Sequence, residues 1–113
     1  MRTKQTQNTY DEYLKTFPKD YCPFCNKELL IYEYKKWYLL KNRFPYDNKA
    51  TKHHLLVPKR HIAEHCMITT HELGELHQIR EELKDKYNCI MENFIKSRSI
   101  TNHFHYHLIV WKI

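Results

Sequence analysis

Residues His103-Phe104-His105-Tyr106-His107 alternate imidazole with aromatic ring, and Leu108, Ile109 and Val110 extend the run. A side-chain period of two belongs to a β-strand, in which successive side chains leave opposite faces. Phe104, Tyr106, Leu108 and Val110 fall on one face, and His103, His105 and His107 on the other. The pattern predicts a strand over 103–110 with its apolar face on the core and three imidazoles lined up on an open face. Such a strand needs partners, so the rest of the chain must supply a sheet.

Short aliphatic and aromatic runs at Leu29–Tyr34 and Trp37–Leu40, separated by Lys35-Lys36, read as two antiparallel strands. A loop follows over Asn42–Asn48. His53–Val57 reads as a third strand, closed by Pro58, which cannot donate to a ladder. From Thr69 the period becomes helical, with Leu73, Leu76, Ile79 and Leu83 on one face. Thr69 and Glu72 form a capping box, and the helix is expected to end near Lys86. Asn88–Glu92 reads as another strand and Asn93–Asn102 as a polar loop. Residues 1–20 form a polar N-terminal segment, in which nothing suggests chemistry, and 21–113 a single α+β domain.

At 113 residues the chain is one domain's worth, and 42% hydrophobic with nine Tyr argues for a packed protein. The net charge of +6 suits polyanionic partners but is not gathered into one run. No stretch approaches the roughly 18 apolar residues of a membrane span, and the start lacks a signal-peptide core, so a cytoplasmic location is expected. Cys22 and Cys25 form a C-x-x-C, whereas Cys66 and Cys89 stand alone as small hydrophobes. This is no disulfide framework, and in a reducing compartment the pair points to metal or redox chemistry.

Three histidines at i, i+2 and i+4 of a strand put ring nitrogens a few ångströms apart. The row is read as a surface metal site, a coincidence of composition, or a place where a neutral imidazole attacks phosphorus while its neighbours fix tautomers and supply hydrogen bonds. The C-x-x-C supplies two of the four tetrahedral ligands that zinc takes. There is no second C-x-x-C, and Tyr38 and its neighbours stand where a DNA-binding finger would place its first His. The remaining ligands must be histidines brought in by the fold, and His61 with His65 has H-x-x-x-H spacing. A redox role is poor, because strand-like sequence follows Cys25 where a helix should begin.

His103-Phe104-His105-Tyr106-His107-Leu108-Ile109 resembles the signature of the histidine-triad (HIT) family. Asn42-Arg43-Phe44-Pro45-Tyr46 and His53-His54-Leu55-Leu56-Val57-Pro58-Lys59-Arg60-His61-Ile62 resemble two further family segments in the same order. The resemblance implies an antiparallel sheet of five strands with one long and one short helix, commonly dimeric. It also implies hydrolysis or transfer of nucleoside monophosphates from phosphoramidates or dinucleoside polyphosphates through a covalent nucleotidyl-histidine. By position, His105 is the nucleophile, His107 bonds the α-phosphate or leaving group, and His53 bonds the far side of the nucleophilic ring. Asn42 matches the ribose contact, and Leu40 with nearby aromatics walls the base. Asn93 resembles an α-phosphate contact, and Ser99 lies one residue out of register with the serine of the family's phosphate loop.

In the zinc-containing branch of the family, structural Zn2+ is held by the residues matching Cys22, Cys25, His61 and His103, which competes with the set containing His65. Two functions follow from this reading. The first is a zinc-stabilised nucleotide hydrolase or nucleotidyl transferase. The second is a catalytically silent module that keeps the fold and binds nucleotide or RNA, for which charge and Tyr content allow phosphate contact and base stacking. The presence of His53, His105 and His107 together favours the enzyme.

Overall fold

Five short strands line up in one antiparallel sheet in the order β1-β2-β3-β5-β4. The computed structural model describes residues 2–15, 27–94 and 103–112. In chain order the elements are helix α1 (Lys4–Lys15), a 3-10 turn at Lys27–Leu29, β1 (Leu30–Glu33), β2 (Trp37–Lys41), β3 (Ala50–Pro58), a second 3-10 turn at His65–Met67, helix α2 (Thr70–Leu83), β4 (Cys89–Met91) and β5 (Tyr106–Trp111). The α+β class and the five-stranded sheet agree with the sequence reading.

Period-two alternation divides the sheet into two faces. Trp37, Leu39, Leu56 and Leu108 point to the side covered by α2, which contributes Leu76, Ile79 and Leu83. Each such side chain, fully buried, is worth about 1.5–3 kcal/mol, more than the propensity cost of Gly74 in the helix interior. The Trp37 indole N–H donates to the carbonyl of Glu72 at 2.9 Å, pinning the start of α2 to β2. The capping box is formed: Thr69 accepts from the Glu72 N–H at 3.2 Å, and the Glu72 carboxylate accepts from the Thr69 N–H at 2.8 Å. The other face carries Leu40, Leu55 and Val57 together with His53 and His107.

Several expectations change. Leu73 is 37% exposed, and the inner position it was given belongs to Glu72, 3% exposed and hydrogen-bonded to Arg60. A helical face chosen on hydropathy alone misses a buried carboxylate. Strand β3 begins at Ala50, before His53, because its ladder with β5 continues to Trp111. Strand β5 begins only at Tyr106. His103, Phe104 and His105 precede it as non-strand chain, where the Phe104 N–H donates to the Ile62 carbonyl at 2.6 Å. Nor is the histidine face open: His103, His105 and His107 are all buried, His107 under the Tyr46 ring of the loop after β2 and His103 against Pro58 and His61.

The N-terminal segment forms α1 where the sequence suggested no element. Thr3 caps it by accepting from the Thr6 N–H at 3.2 Å. Its Tyr10 and Tyr13 rings each sit 5.0 Å from Phe44 in the loop after β2. No helix among the described residues is long and apolar enough to cross a membrane.

Candidate active site

Strands β3 and β5 are paired so that His53 lies opposite Ile109 and Leu55 opposite His107. His53 and His107 are therefore diagonal neighbours on one face, within reach of long or cyclic side chains. The His53 Nε2 to His107 Nδ1 distance is 2.7 Å. The backbone N–H of Tyr46 fixes which atom donates. It can only donate, and it points at His53 Nδ1 from 3.0 Å. Nδ1 must then carry a lone pair, and in a neutral ring the proton sits on Nε2. That N–H donates to His107 Nδ1, which in turn leaves the His107 proton on Nε2.

Both rings are held neutral. Burial pushes the His53 imidazole down to about 3, with the Arg2 cation adding to the effect. Burial likewise takes His107 down to about 2, with His105, His53 and Arg2 nearby. A ring so far below the ordinary range offers a hydrogen bond from Nε2–H but does not act as an acid.

His105 is fixed by its own chain. Its Nδ1 lies 3.0 Å from the carbonyl oxygen of His103, which only accepts, so Nδ1 carries the proton and the neutral ring keeps its lone pair on Nε2. The rings of His105 and His107 stand edge to face with centroids 5.0 Å apart. A nitrogen lone pair and an N–H donor thus come from adjacent rings in a largely buried place. The partner expected for His53 was the far side of His105. The structure gives His53 to His107 instead, and the far side of His105 to the His103 carbonyl.

Asn42 sits beside this pair. Its Oδ1 accepts from the Phe44 N–H at 2.9 Å. Its Nδ2 lies 3.3 and 3.4 Å from the two nitrogens of His53. Both of those nitrogens already have in-plane partners, so the amide rests over the ring face. The Asn93 amide nitrogen lies 3.4 Å from His107 Nε2, by the outward end of the pair; with the proton on Nε2, a hydrogen bond there needs the Asn93 oxygen turned toward the ring. Leu40 is buried at 3% exposure among Leu55, Val57, Leu30 and Tyr38 on the same face. Ser99, and the loop proposed to meet phosphate, lie outside the described residues.

Two site neighbours carried no signal of chemistry in the sequence. Tyr46 lies within the segment that bears the family resemblance, but it works through its backbone N–H and through a ring 4.2 Å from His53. Arg2 reaches the Tyr46 ring from the start of the chain, at 4.8 Å. The spacing of Arg2, Thr6, Tyr10 and Tyr13 is helical and was the available clue.

Of the four residues read as zinc ligands, Cys22 and Cys25 lie outside the described residues. His61 and His103 come together, their rings 4.9 Å apart. The His103 Nε2–H donates to the Pro58 carbonyl at 2.9 Å, leaving the lone pair on Nδ1, as in a metal-binding histidine whose other nitrogen is anchored. Burial lowers the pKa of that ring. His65 packs on Phe104 at 5.6 Å, and its 3-10 turn starts at His65 itself, so no helical turn joins it to His61. Among the described residues no three metal-ligating side chains cluster. The residues present fit a zinc ion to the extent of these two imidazoles.

Residues 25–112 match the HIT domain family. This chain belongs to that family. Its fold superposes on a HIT family hydrolase from Clostridium thermocellum with a TM-score of 0.59 and 25% identity, over 85% of this chain and 94% of that one. A histidine triad protein from Clostridium difficile gives 0.58 at 22% identity, over 86% and 95%. A histidine triad nucleotide-binding protein from Candida albicans gives 0.57 at 23%, over 78% and 73%. No curated protein matches the chain in sequence. The match to the HIT domain begins at residue 25, so α1 and Arg2 lie before it.

Proposed function

We propose that this HIT-domain protein hydrolyses or transfers nucleoside monophosphates from phosphoramidates or dinucleoside polyphosphates, with His105 as nucleophile. One observation carries the reading: the His105 Nε2 lone pair stands beside the His107 ring, whose Nε2–H is fixed by the Tyr46–His53 relay. Nε2 of His105 forms a bond to the α-phosphorus, and the bond from phosphorus to the leaving nitrogen or oxygen breaks with its electron pair, a leaving nitrogen taking a proton from solvent that is returned when water later attacks. The His107 Nε2–H donates a hydrogen bond to a phosphoryl oxygen as charge develops there. Water then attacks phosphorus, the bond to His105 breaks, and its lone pair returns as the monophosphate leaves with one proton released. Asn42 is assigned to the ribose, and Asn93 and Ser99 to the phosphate.

The same reading includes a structural zinc ion held by Cys22, Cys25, His61 and His103, closed to substrate. It also includes a homodimer at work in the cytoplasm.

Adenosine 5'-phosphoramidate is the first substrate to try, with wild type beside His105→Asn. Wild type is expected to turn it over and to yield an acid-labile nucleotidyl adduct on His105 after rapid quenching. His105→Asn should bind the nucleotide and form neither product nor adduct. Turnover by that variant at the wild-type rate would sink the mechanism.

A further inference from the structure

Arg2 lies between two tyrosine rings. Its guanidinium carbon lies 4.3 Å from the Tyr10 ring centroid and 4.8 Å from that of Tyr46, and its Nε–H donates to the Phe44 carbonyl at 2.7 Å. Beyond Tyr46 come His53 at 4.2 Å and His107 at 5.6 Å, the latter stacked at 19°. The next residue, Asp47, is latched to the same segment. Its carboxylate accepts from the Thr3 N–H at 2.7 Å and from the hydroxyls of Thr3 and Thr6, which hold it below the usual carboxylate range. Two adjacent loop residues are thus tied to the start of α1, outside the stretch that matches the family. Between those ties and the buried imidazoles stands one atom of consequence, the Tyr46 backbone nitrogen that settles the His53 tautomer.

We propose that Arg2 is a positioning residue: the N-terminal segment latches the Tyr46–Asp47 loop so that the Tyr46 N–H orders the protons of His53 and His107. Arg2 does not touch substrate in this arrangement. Its cation stacks on Tyr46, presses that ring onto the imidazoles, and opposes their protonation by charge. Loss of the latch lets the loop lift, and His53 Nδ1 then takes a proton as readily as Nε2. His107 Nε2 in turn loses its fixed hydrogen. The effect on turnover rests on the function proposed above, whereas the proton order is a property of the protein without substrate.

The test uses the full chain labelled with 15N-histidine, in wild type, Arg2→Ala, Arg2→Lys and Asp47→Asn. Imidazole nitrogen shifts of His53 and His107 report the tautomer in the absence of ligand. Hydrolysis of adenosine 5'-phosphoramidate reports kcat and KM separately. Wild type should show a bare Nδ1 and protonated Nε2 on both rings. Arg2→Ala should average the nitrogen shifts and lower kcat by about 10- to 100-fold, the scale of losing a group that orients a functional histidine, with KM little changed. Arg2→Lys, which keeps the stacked cation, should recover most of both readouts, and Asp47→Asn should move them the same way by less. Wild-type nitrogen shifts in folded Arg2→Ala overturn the proposal whatever the kinetics show. Ordered shifts in a wild type that hydrolyses nothing would instead count against the proposed reaction and leave the latch standing.

Discussion

His53 donates from Nε2 to Nδ1 of His107 across 2.7 Å, a bond between residues 54 apart in sequence, on neighbouring strands. It turns two imidazoles into a neutral relay that begins at a backbone N–H and ends at an N–H directed outward beside Asn93. His107 therefore works as a donor, not as an acid. Its environment is too dry for it to carry charge.

If that donor stabilises charge developing on phosphorus, removing it should cost rate more than binding. His107→Leu is expected to lower kcat for a nucleoside phosphoramidate by about 10²–10³ with KM within a few-fold, the scale of losing one such donor. His107→Gln, which keeps an amide N–H near the same place, should fall between. A change in KM alone would show that the donor binds ground and transition states alike.

Stability should also depend on pH through these rings. The folded values of His53 and His107 lie far below the ordinary 6.5, so the unfolded chain binds more protons as pH falls below that value. Their contribution is fully present above 6.5 and is lost on acidification, at about 1.4 kcal/mol per pH unit for each proton. His54 and His103, also lowered by burial, act in the same direction. Urea unfolding at pH 7, 6 and 5 should show uptake of two or more protons near pH 5, and His107→Leu should remove about one. A stability curve flat over that range would contradict neutral buried imidazoles.

Metal content tests the other cluster. Protein prepared without chelator should carry about one zinc per chain. Cys22→Ser and His103→Asn should each lose it, while His65→Asn should keep it. Strong chelation should lower the melting temperature, since binding energy at a structural site is folding energy. Zinc retained in His103→Asn but lost in His65→Asn would move the fourth ligand to the 3-10 turn.

The strands were legible because their signal is local. The alternation in β5 and the aliphatic and aromatic runs of β1 to β3 are each contained in a few consecutive residues, and the Thr69–Glu72 box announced α2. The tertiary part of the site was not. Nothing in the sequence says that His53 pairs diagonally with His107, since that depends on the β3–β5 register. The row of histidines read as an open face because alternation tells sides apart without telling what covers them. The loop bearing Phe44 and Tyr46 covers His53 and His107, and its anchor is a polar segment whose helix carries Tyr10, Tyr13 and Leu14 as its apolar marks.

Gly74 gives a clean stability test. It lies in the interior of α2 with ordinary helical backbone, and a Cβ built there meets nothing within 4 Å. Gly74→Ala should therefore stabilise by about 0.5–1 kcal/mol, because glycine loses more backbone freedom in a helix. Thermal unfolding should rise by roughly 2–6 °C. A drop would mean that the exposed face of α2 is covered in solution.

Glu72 offers the sharpest prediction about how the site is held. Its side chain, 4% exposed, accepts from Arg60 Nε at 2.9 Å, Arg60 Nη2 at 2.7 Å and the Thr69 N–H at 2.8 Å. The Arg60 hydrogen bonds bring its carboxyl down to about 2 from 4.5. A lowered carboxylate contributes stability above its unfolded value and loses it as pH falls through the folded one. Glu72→Gln keeps the shape but turns an amide N–H toward donors, so it should cost about 1–3 kcal/mol at pH 7. The gap to wild type should shrink between pH 4.5 and 2 as the wild-type carboxyl takes its proton. Arg60 precedes His61, and the Ile62 carbonyl holds Phe104 beside His103 and His105. The same variant should therefore loosen His61 against His103 and weaken zinc retention, seen as faster loss to a chelator at pH 7. Wild-type zinc kinetics in a destabilised Glu72→Gln would separate the cap from the site.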